Sequence, residues 1–288
     1  MELCDLHTHS KISDGTDLPE EIIDLALQAG LTAVALCDHN DVGGLPAFWA
    51  AAEGKPIRAI SGAEFSVDWT GRELHLLGLF IPENAFDRVT QLMEVAQERK
   101  RQSNVLLIES LQRAGYDIDF ETVLKTTLGK GFNRAHVAQV LMSKGYVASI
   151  DEAIKTVLSD KSGHYRPPER FTLWEILEFI QEIGAVPVLA HPLLNLTETQ
   201  LRELLPEAKK RGLAGMECLY SEYDEETTAL AFRLAKEFDL LPSGGSDHHG
   251  ERKPHIRVGV GRGNLQIPYA YALALEATKT NSGAKAFL

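Results

Sequence analysis

Short apolar runs along this chain alternate with stretches whose apolar residues fall at helical spacing. Glu2 to Leu6 reads as a short strand. Leu18 to Ala29 reads as a helix, with Asp17 as its N-cap, Pro19 in the first turn and Gly30 at the stop. Leu31 to Cys37 is a continuous apolar run, the pattern of a buried parallel strand. Ile57 to Ile60 and Leu74 to Phe80 predict further strands, as do Val188, Leu189 and Ala190 after Pro187, Leu213 to Leu219, and Leu240 to Ser243. The helical stretches Trp174 to Ile183, Glu198 to Arg211 and Glu225 to Phe238 separate the later strands. That alternation implies parallel βαβ units in an α/β fold. Periodicity alone does not separate a barrel from an open sheet.

Residues 86–165 break the alternation. Val89 to Arg113 predicts one long helix; Phe120 to Leu124, His136 to Lys144 and Ile150 to Leu158 predict short ones. The domain reading is therefore an α/β domain of 1–85 and 166–288, with 86–165 as a helical insertion that caps the substrate site.

Composition adds limits. The 288 residues suffice for one large domain or one domain with an insertion. A formal net charge of -12 argues against an extended nucleic-acid surface but leaves room for a small phosphate ligand. Cys4, Cys37 and Cys218 form no CxxC pair, sit in apolar runs and read as buried core residues of a reducing cytoplasm. The N-terminus reaches a histidine motif by residue 7 without a leader pattern, and no apolar stretch has the length of a membrane span.

The candidate chemistry lies in histidine–carboxylate motifs spread over the whole chain. Asp5-Leu6-His7-Thr8-His9-Ser10 is followed by Asp14-Gly15; then come Asp38-His39-Asn40 and Ser246-Asp247-His248-His249. On extended backbone His7 and His9 point the same way, as do Asp247 and His249, which turns His248 aside. Imidazole and carboxylate together are a ligand set for zinc, manganese or iron. The candidates fall at strand ends: His39 after Cys37, Glu64 after Ile60, His191 after Ala190, Asp247 after Ser243. The mouth of a barrel collects side chains in this way. Alone, His75 would be a half-buried strand histidine and His191 a strand-end cap; beside the other motifs both join the ligand candidates. The set is His7, His9, Asp14, His39, Glu64, His75, His191, Asp247 and His249, with Glu64 best suited to bridge two ions.

These elements (HTHS with Asp14-Gly15, DHN, Gly62-Ala63-Glu64, His75, His191-Pro192 and SDHH) resemble the PHP (polymerase and histidinol phosphatase) family of metal-dependent phosphoesterases. The resemblance implies a distorted seven-stranded β/α barrel with two or three divalent ions, Mn²⁺ foremost and Zn²⁺ or Fe²⁺ as alternatives. Asp14 stands where some members have histidine. Within the family, the insertion with Phe132-Asn133-Arg134-Ala135-His136 and Arg99-Lys100-Arg101-Gln102 is similar to nucleoside 3′,5′-bisphosphate phosphatases, some of which trim short RNA from the 5′ end. On that resemblance Arg99, Arg101, Gln102, Asn133, Arg134 and His136 contact substrate, Arg134 and His136 holding the non-reacting phosphate or ribose. Arginine suits that task through paired hydrogen bonds. Lys161 and His164 are weaker candidates, and His255 reads as a surface residue.

The implied reaction is attack on a phosphate monoester by a metal-bridging hydroxide, with the ions neutralising the phosphate oxygens. His39 or His249 could protonate the leaving oxygen only if free of metal. Partners are then small nucleotides and short RNA 5′ ends. Three other readings share parts of the pattern: a histidinol-phosphate phosphatase, an amidohydrolase, and a non-catalytic metal-stabilised binding module. The insertion with Arg134 speaks against the first, the absence of an evident bridging lysine against the second, and the absence of a polymerase in this chain against the third.

Overall fold

In the computed structural model, which describes residues 2–126, 132–159 and 161–279, the strands are β1 (Leu3–Thr8), β2 (Ala33–Leu36), β3 (Arg58–Trp69), β4 (Arg72–Leu79), β5 (Val186–Leu189), β6 (Gly215–Tyr220), β7 (Leu241–Gly245) and β8 (Ile267–Pro268). The helices are α1 (Pro19–Gln28), α2 (Leu45–Ala52), α3 (Phe86–Arg113), α4 (Phe120–Lys125), α5 (Arg134–Ser143), α6 (Ile150–Lys155), α7 (Leu173–Glu182), α8 (Pro192–Asn195), α9 (Glu198–Lys210), α10 (Glu225–Glu237) and α11 (Tyr269–Glu276). All strands join one sheet in the order β7-β6-β5-β4-β3-β2-β1-β8. Its far edges meet. The Asp247 N–H donates to the His7 carbonyl (2.8 Å), the His9 N–H donates to the His248 carbonyl (3.0 Å), and Thr8 bridges His248 in parallel. The first seven strands thus make the nearly closed, distorted α/β barrel expected of the sequence. The two-residue β8, which has too short an apolar signature to read in advance, adds antiparallel to β1.

One pairing departs from the parallel expectation. β3 pairs with β2 in parallel over Arg58–Ser61 and then continues into a hairpin with β4, antiparallel from Gly62–Leu79 to Trp69–Arg72. Its two-residue loop is Thr70-Gly71, both at positive φ (52° and 81°), the loop geometry whose twist matches a hairpin. β4 is also antiparallel to β5, while β5, β6 and β7 pair in parallel. Glu64 therefore lies inside the long strand β3, not at a strand end.

Period two along β1 divides the labour. Cys4 and Leu6 enter an apolar cluster with Ala33, Ala35, Ile60, Leu77, Val186 and Val188, all buried, while His7 faces polar partners. Each fully buried Val, Leu or Ile of such a cluster stabilises the fold by roughly 1.5–3 kcal/mol. The three cysteines are buried and free, and burial pushes the Cys218 thiol up to about 12. α1 starts one residue later than its sequence suggests. Its N-cap is Leu18, whose N–H is taken by Glu21 (2.6 Å), because the Asp17 carboxylate is engaged by His248 Nε2 (2.8 Å).

The chain divides into two compact units, 1–91 with 171–288, and 92–170. The second is helical and has its own core of Leu107, Leu111, Val123, Val137, Leu141 and Leu158. Among the described residues no helix is long and apolar enough to cross a membrane.

Candidate metal centre

Glu64 is the hub of the barrel unit. It is fully buried, and five imidazoles converge on its carboxylate. Oε1 meets His75 Nδ1 (2.8 Å) and His191 Nε2 (2.9 Å); Oε2 meets His39 Nδ1 (3.1 Å), His7 Nε2 (3.3 Å) and His9 Nε2 (3.3 Å). Asp247 Oδ1 lies 3.2 Å from His9 Nε2 and 3.7 Å from His7 Nε2. Asp14 Oδ1 lies 3.3 Å from His249 Nε2 and 3.9 Å from both His9 Nδ1 and His39 Nε2. The structure thus brings together all nine histidines and carboxylates expected as ligands.

The backbone is bent to do this. His191 (φ 27°) and Asp247 (φ 57°) occupy the left-handed region, costly for residues with a Cβ and found where surroundings over-determine it. Here those surroundings are visible. The His191 N–H donates to Glu217 Oε2 (2.6 Å), and the Asp247 N–H is held by the His7 carbonyl.

Glu217 was not legible in the sequence. It sits in the apolar-looking segment Gly215–Tyr220, yet is fully buried, and its Oε1 faces His7 Nδ1 at 3.0 Å. His7 is thereby oriented with Nε2 toward Glu64, the arrangement in which an outer carboxylate fixes a ligand histidine. Tyr220 and Lys253 were missed for the same reason: they carry no motif. The Tyr220 hydroxyl (2.8 Å) and Lys253 Nζ (2.7 Å) both donate to Asp247 Oδ2. Asp38 accepts the Ser10 N–H (2.8 Å) and the hydroxyls of Ser10 (2.7 Å) and Ser13 (2.6 Å), which fixes the loop carrying Asp14.

Electrostatics follow from burial set against mutual charge. Burial depresses His9, but Asp247 and Glu64 outweigh it and raise its pKa to about 9. Burial likewise works against protonation of His7, and the charges of Glu64 and Glu217 overcome it, leaving its pKa well above the ordinary range. His39 goes the other way: burial prevails and lowers it to about 4. Glu64 and Asp247 resist their own burial and titrate well below ordinary carboxylates, because imidazoles surround them.

The donor set suits divalent cations. Four overlapping groups place their ligand atoms within 4.8 Å of one another: His9, Asp14, His39 and His249; His7, His9 and Glu64; His7, His191 and Glu217; His39, Glu64 and His75. His9 Nδ1 and Glu64 Oε2 are buried without a hydrogen-bond partner, and His7 Nε2 faces His9 Nε2 at 2.9 Å. Unsatisfied buried polar atoms cost about 1–3 kcal/mol each, which a shared cation relieves. A cavity of about 370 Å³ opens beside the cluster, lined by Asp14, His39, His75, Tyr220 and Lys253 among others.

Residues 5–164 match the PHP domain family. The chain belongs to the PHP family. A 5′-3′ exoribonuclease of Haemophilus influenzae is 31% identical over 246 residues, covering 85% of this chain and 89% of that protein. A phosphoribosyl 1,2-cyclic phosphate 1,2-diphosphodiesterase of Eggerthella lenta is 30% identical over 260 residues, 88% of this chain and 97% of that one. A 3′,5′-nucleoside bisphosphate phosphatase of Chromobacterium violaceum is 28% identical over 264 residues, with 90% and 91% covered. As a PHP protein the chain is a metal-dependent phosphoesterase, a hydrolase whose histidine and carboxylate clusters can bind metal ions.

The residues expected to touch substrate all lie in the helical unit, and several are engaged there. Arg101 pairs with Glu98 (2.7 and 2.8 Å), and Gln102 donates to the same carboxylate (3.0 Å). Asn133 caps α5, accepting the Ala135 N–H (3.0 Å), and His136 Nδ1 accepts the Asn133 N–H (3.2 Å). The Arg134 guanidinium stacks 4.2 Å over Tyr165 and donates to the Leu158 carbonyl (3.3 Å). Arg99 lies on α3. His164 faces the Ser110 hydroxyl (2.9 Å), and His255 is exposed.

Proposed function

We propose that this PHP enzyme hydrolyses a phosphate monoester of small nucleotides, foremost nucleoside 3′,5′-bisphosphates to a nucleoside monophosphate and phosphate, and that it also trims short RNA from the 5′ end. The observation that carries the reading is the five-imidazole convergence on Glu64 beside an open cavity, in a chain whose relatives include a 5′-3′ exoribonuclease and a 3′,5′-nucleoside bisphosphate phosphatase. His7, His9, Asp14, His39, Glu64, His75, His191, Asp247 and His249 would hold two or three divalent ions, Mn²⁺ foremost. Bound there, such ions supply Lewis acidity toward phosphate oxygens and lower the pKa of water.

The chain's own groups complete the site. Glu217 keeps His7 Nε2 aimed inward, and Tyr220 holds one oxygen of Asp247 so that the other faces His9. His39, with a pKa near 4, is neutral at physiological pH and suits ligation better than proton donation. His249 Nδ1 faces its own Asp247 carbonyl (2.8 Å), so Nδ1 carries the proton and Nε2 the lone pair, again a ligand's arrangement. The helical insertion serves as the substrate cap, with Arg134 as the contact for the second phosphate.

Phosphate release with Mn²⁺ from adenosine 3′,5′-bisphosphate, AMP, histidinol phosphate and a ribose 1,2-cyclic phosphate, side by side, tests this reading. Preference for the bisphosphate supports it. Preference for histidinol phosphate or for the cyclic ester keeps the metal centre and replaces the substrate.

A further inference from the structure

The cavity beside the cluster is bordered by the carboxylates of Asp14, Glu64, Glu222 and Asp247, an unfavourable wall for a phosphate. Its cationic lining residues are Arg252 and Lys253. Both come from the turn that follows His249, the short helix Gly250–Arg252 and its C-cap. The turn is pinned from several sides. His248 turns away from the cluster and spans Asp17 Oδ2 and the Ile256 carbonyl, each at 2.8 Å. The Glu251 N–H donates to Thr16 Oγ1 (2.9 Å). Gly250 takes φ 62°, and a Cβ there would stand 2.0 Å from Thr16 Oγ1, so only glycine allows this close approach. Lys253 Nζ rests 2.7 Å from Asp247 Oδ2 with its side chain 33% exposed. An ammonium has three donors, and one is used on Asp247.

We propose that this turn is the anion-binding wall of the active cleft: Lys253, with Arg252 beside it, takes a phosphate of the substrate, and His248 is the positioning residue that holds the turn in place. The adjacent histidines then divide their work, His249 toward the cluster and His248 toward the wall. The class of anion rests on the phosphoesterase reading above; the wall itself binds phosphate whichever ester is the substrate. Lys253 stays on Asp247 while its remaining donors meet the anion, so substrate neutralises an ammonium that is already fixed and little ordering is needed on binding.

The test is calorimetric titration of the Mn²⁺-loaded enzyme with inorganic phosphate, alongside elemental analysis of bound metal and KM for any phosphate ester that is turned over. Lys253→Met is expected to weaken phosphate binding about tenfold or more with metal content unchanged. Lys253→Arg should retain most of the affinity, and His248→Asn should weaken it in the same direction by a smaller factor. Unchanged phosphate affinity in Lys253→Met overturns the proposal. So does a fall in affinity that tracks lost metal and is restored by excess Mn²⁺, since Lys253 would then only support Asp247. Because inorganic phosphate is the probe, a different physiological substrate changes the proposed function without touching this result.

Discussion

The barrel unit and the helical unit handle their polar side chains in opposite ways. In the barrel, buried polar groups find each other across long sequence separations: His7 meets Glu217, and Glu64 meets His191. In the helical unit the ion pairs of Arg101 with Glu98 and Lys155 with Asp151 are local and exposed, and among its described residues no titratable side chain is buried. Burying titratable groups costs free energy unless they are paired or hold a cation, so the barrel's cluster is a functional expense that its apolar core must offset. The helical unit spends nothing comparable. Its exposed pairs are screened by water and contribute little, so they can change without threatening the fold. Under the proposed function the barrel would set the chemistry, and the insertion would be free to change with the substrate.

The sharpest way to break this comparison is to strike the hub's partners. His7→Ala removes a buried imidazole from two of the ligand groups and is expected to lower Mn²⁺-dependent kcat/KM by about three orders of magnitude or more. Full activity in that variant would refute the metal centre. Glu217→Gln is milder. It keeps the shape but replaces the carboxylate that orients His7, and Mn²⁺ affinity by titration should fall about 10- to 100-fold. An unchanged affinity would reduce Glu217 to packing. Arg134→Ala sharpens the other side of the comparison. It should raise KM for a bisphosphate about tenfold while leaving a monophosphate nearly unaffected. Equal effects on both would deny the insertion its role in selecting substrate.

Those differences also mark what the sequence could disclose. The candidates His7 and His9 were legible because extended backbone makes i,i+2 neighbours share a face, and β1 is extended up to Thr8. Asp247 and His249 also reach the cluster, but not by that rule: Asp247 turns into the left-handed region (φ 57°), so the segment after β7 is not the extended run that the spacing implied. The long amphipathic helices were legible because their period persists over many residues. Glu217 was not, since a single carboxylate in an apolar run carries no spacing signal, and its function depends on β6 lying near β1 and β5. The β3–β4 hairpin was hidden in a chain that otherwise alternates strand and helix, although Thr70-Gly71 is a two-residue turn signal. Asp17 shows the limit of local rules. As a free aspartate before a helix it would cap α1, but His248, more than two hundred residues away, claims its carboxylate.

The smallest expected effect concerns stability against pH, and its sign distinguishes the two units. In the metal-free protein His9 has its pKa raised from the ordinary 6.5 to about 9; burial opposes this, and Asp247 and Glu64 carry it. A group raised in the folded state contributes stability that is complete below the unfolded value and is lost as pH rises through the folded one. Glu64 and Asp247 are depressed, so their contribution is already complete above the ordinary carboxylate range and does not change in this window. Metal-free protein should therefore lose a few degrees of Tm between pH 6.5 and 9. Ligation needs neutral imidazoles, so saturating Mn²⁺ takes the place of those protons and binds more tightly as pH rises. With Mn²⁺ the same scan should be flat or rise. Thermal melts at both pH values, with chelator and with Mn²⁺, check the sign directly. A metal-free Tm that is constant or increases would mean that the imidazoles around Glu64 are not charged in the empty barrel. The helical unit has no comparable group among its described residues, so a transition belonging to it should not move with Mn²⁺.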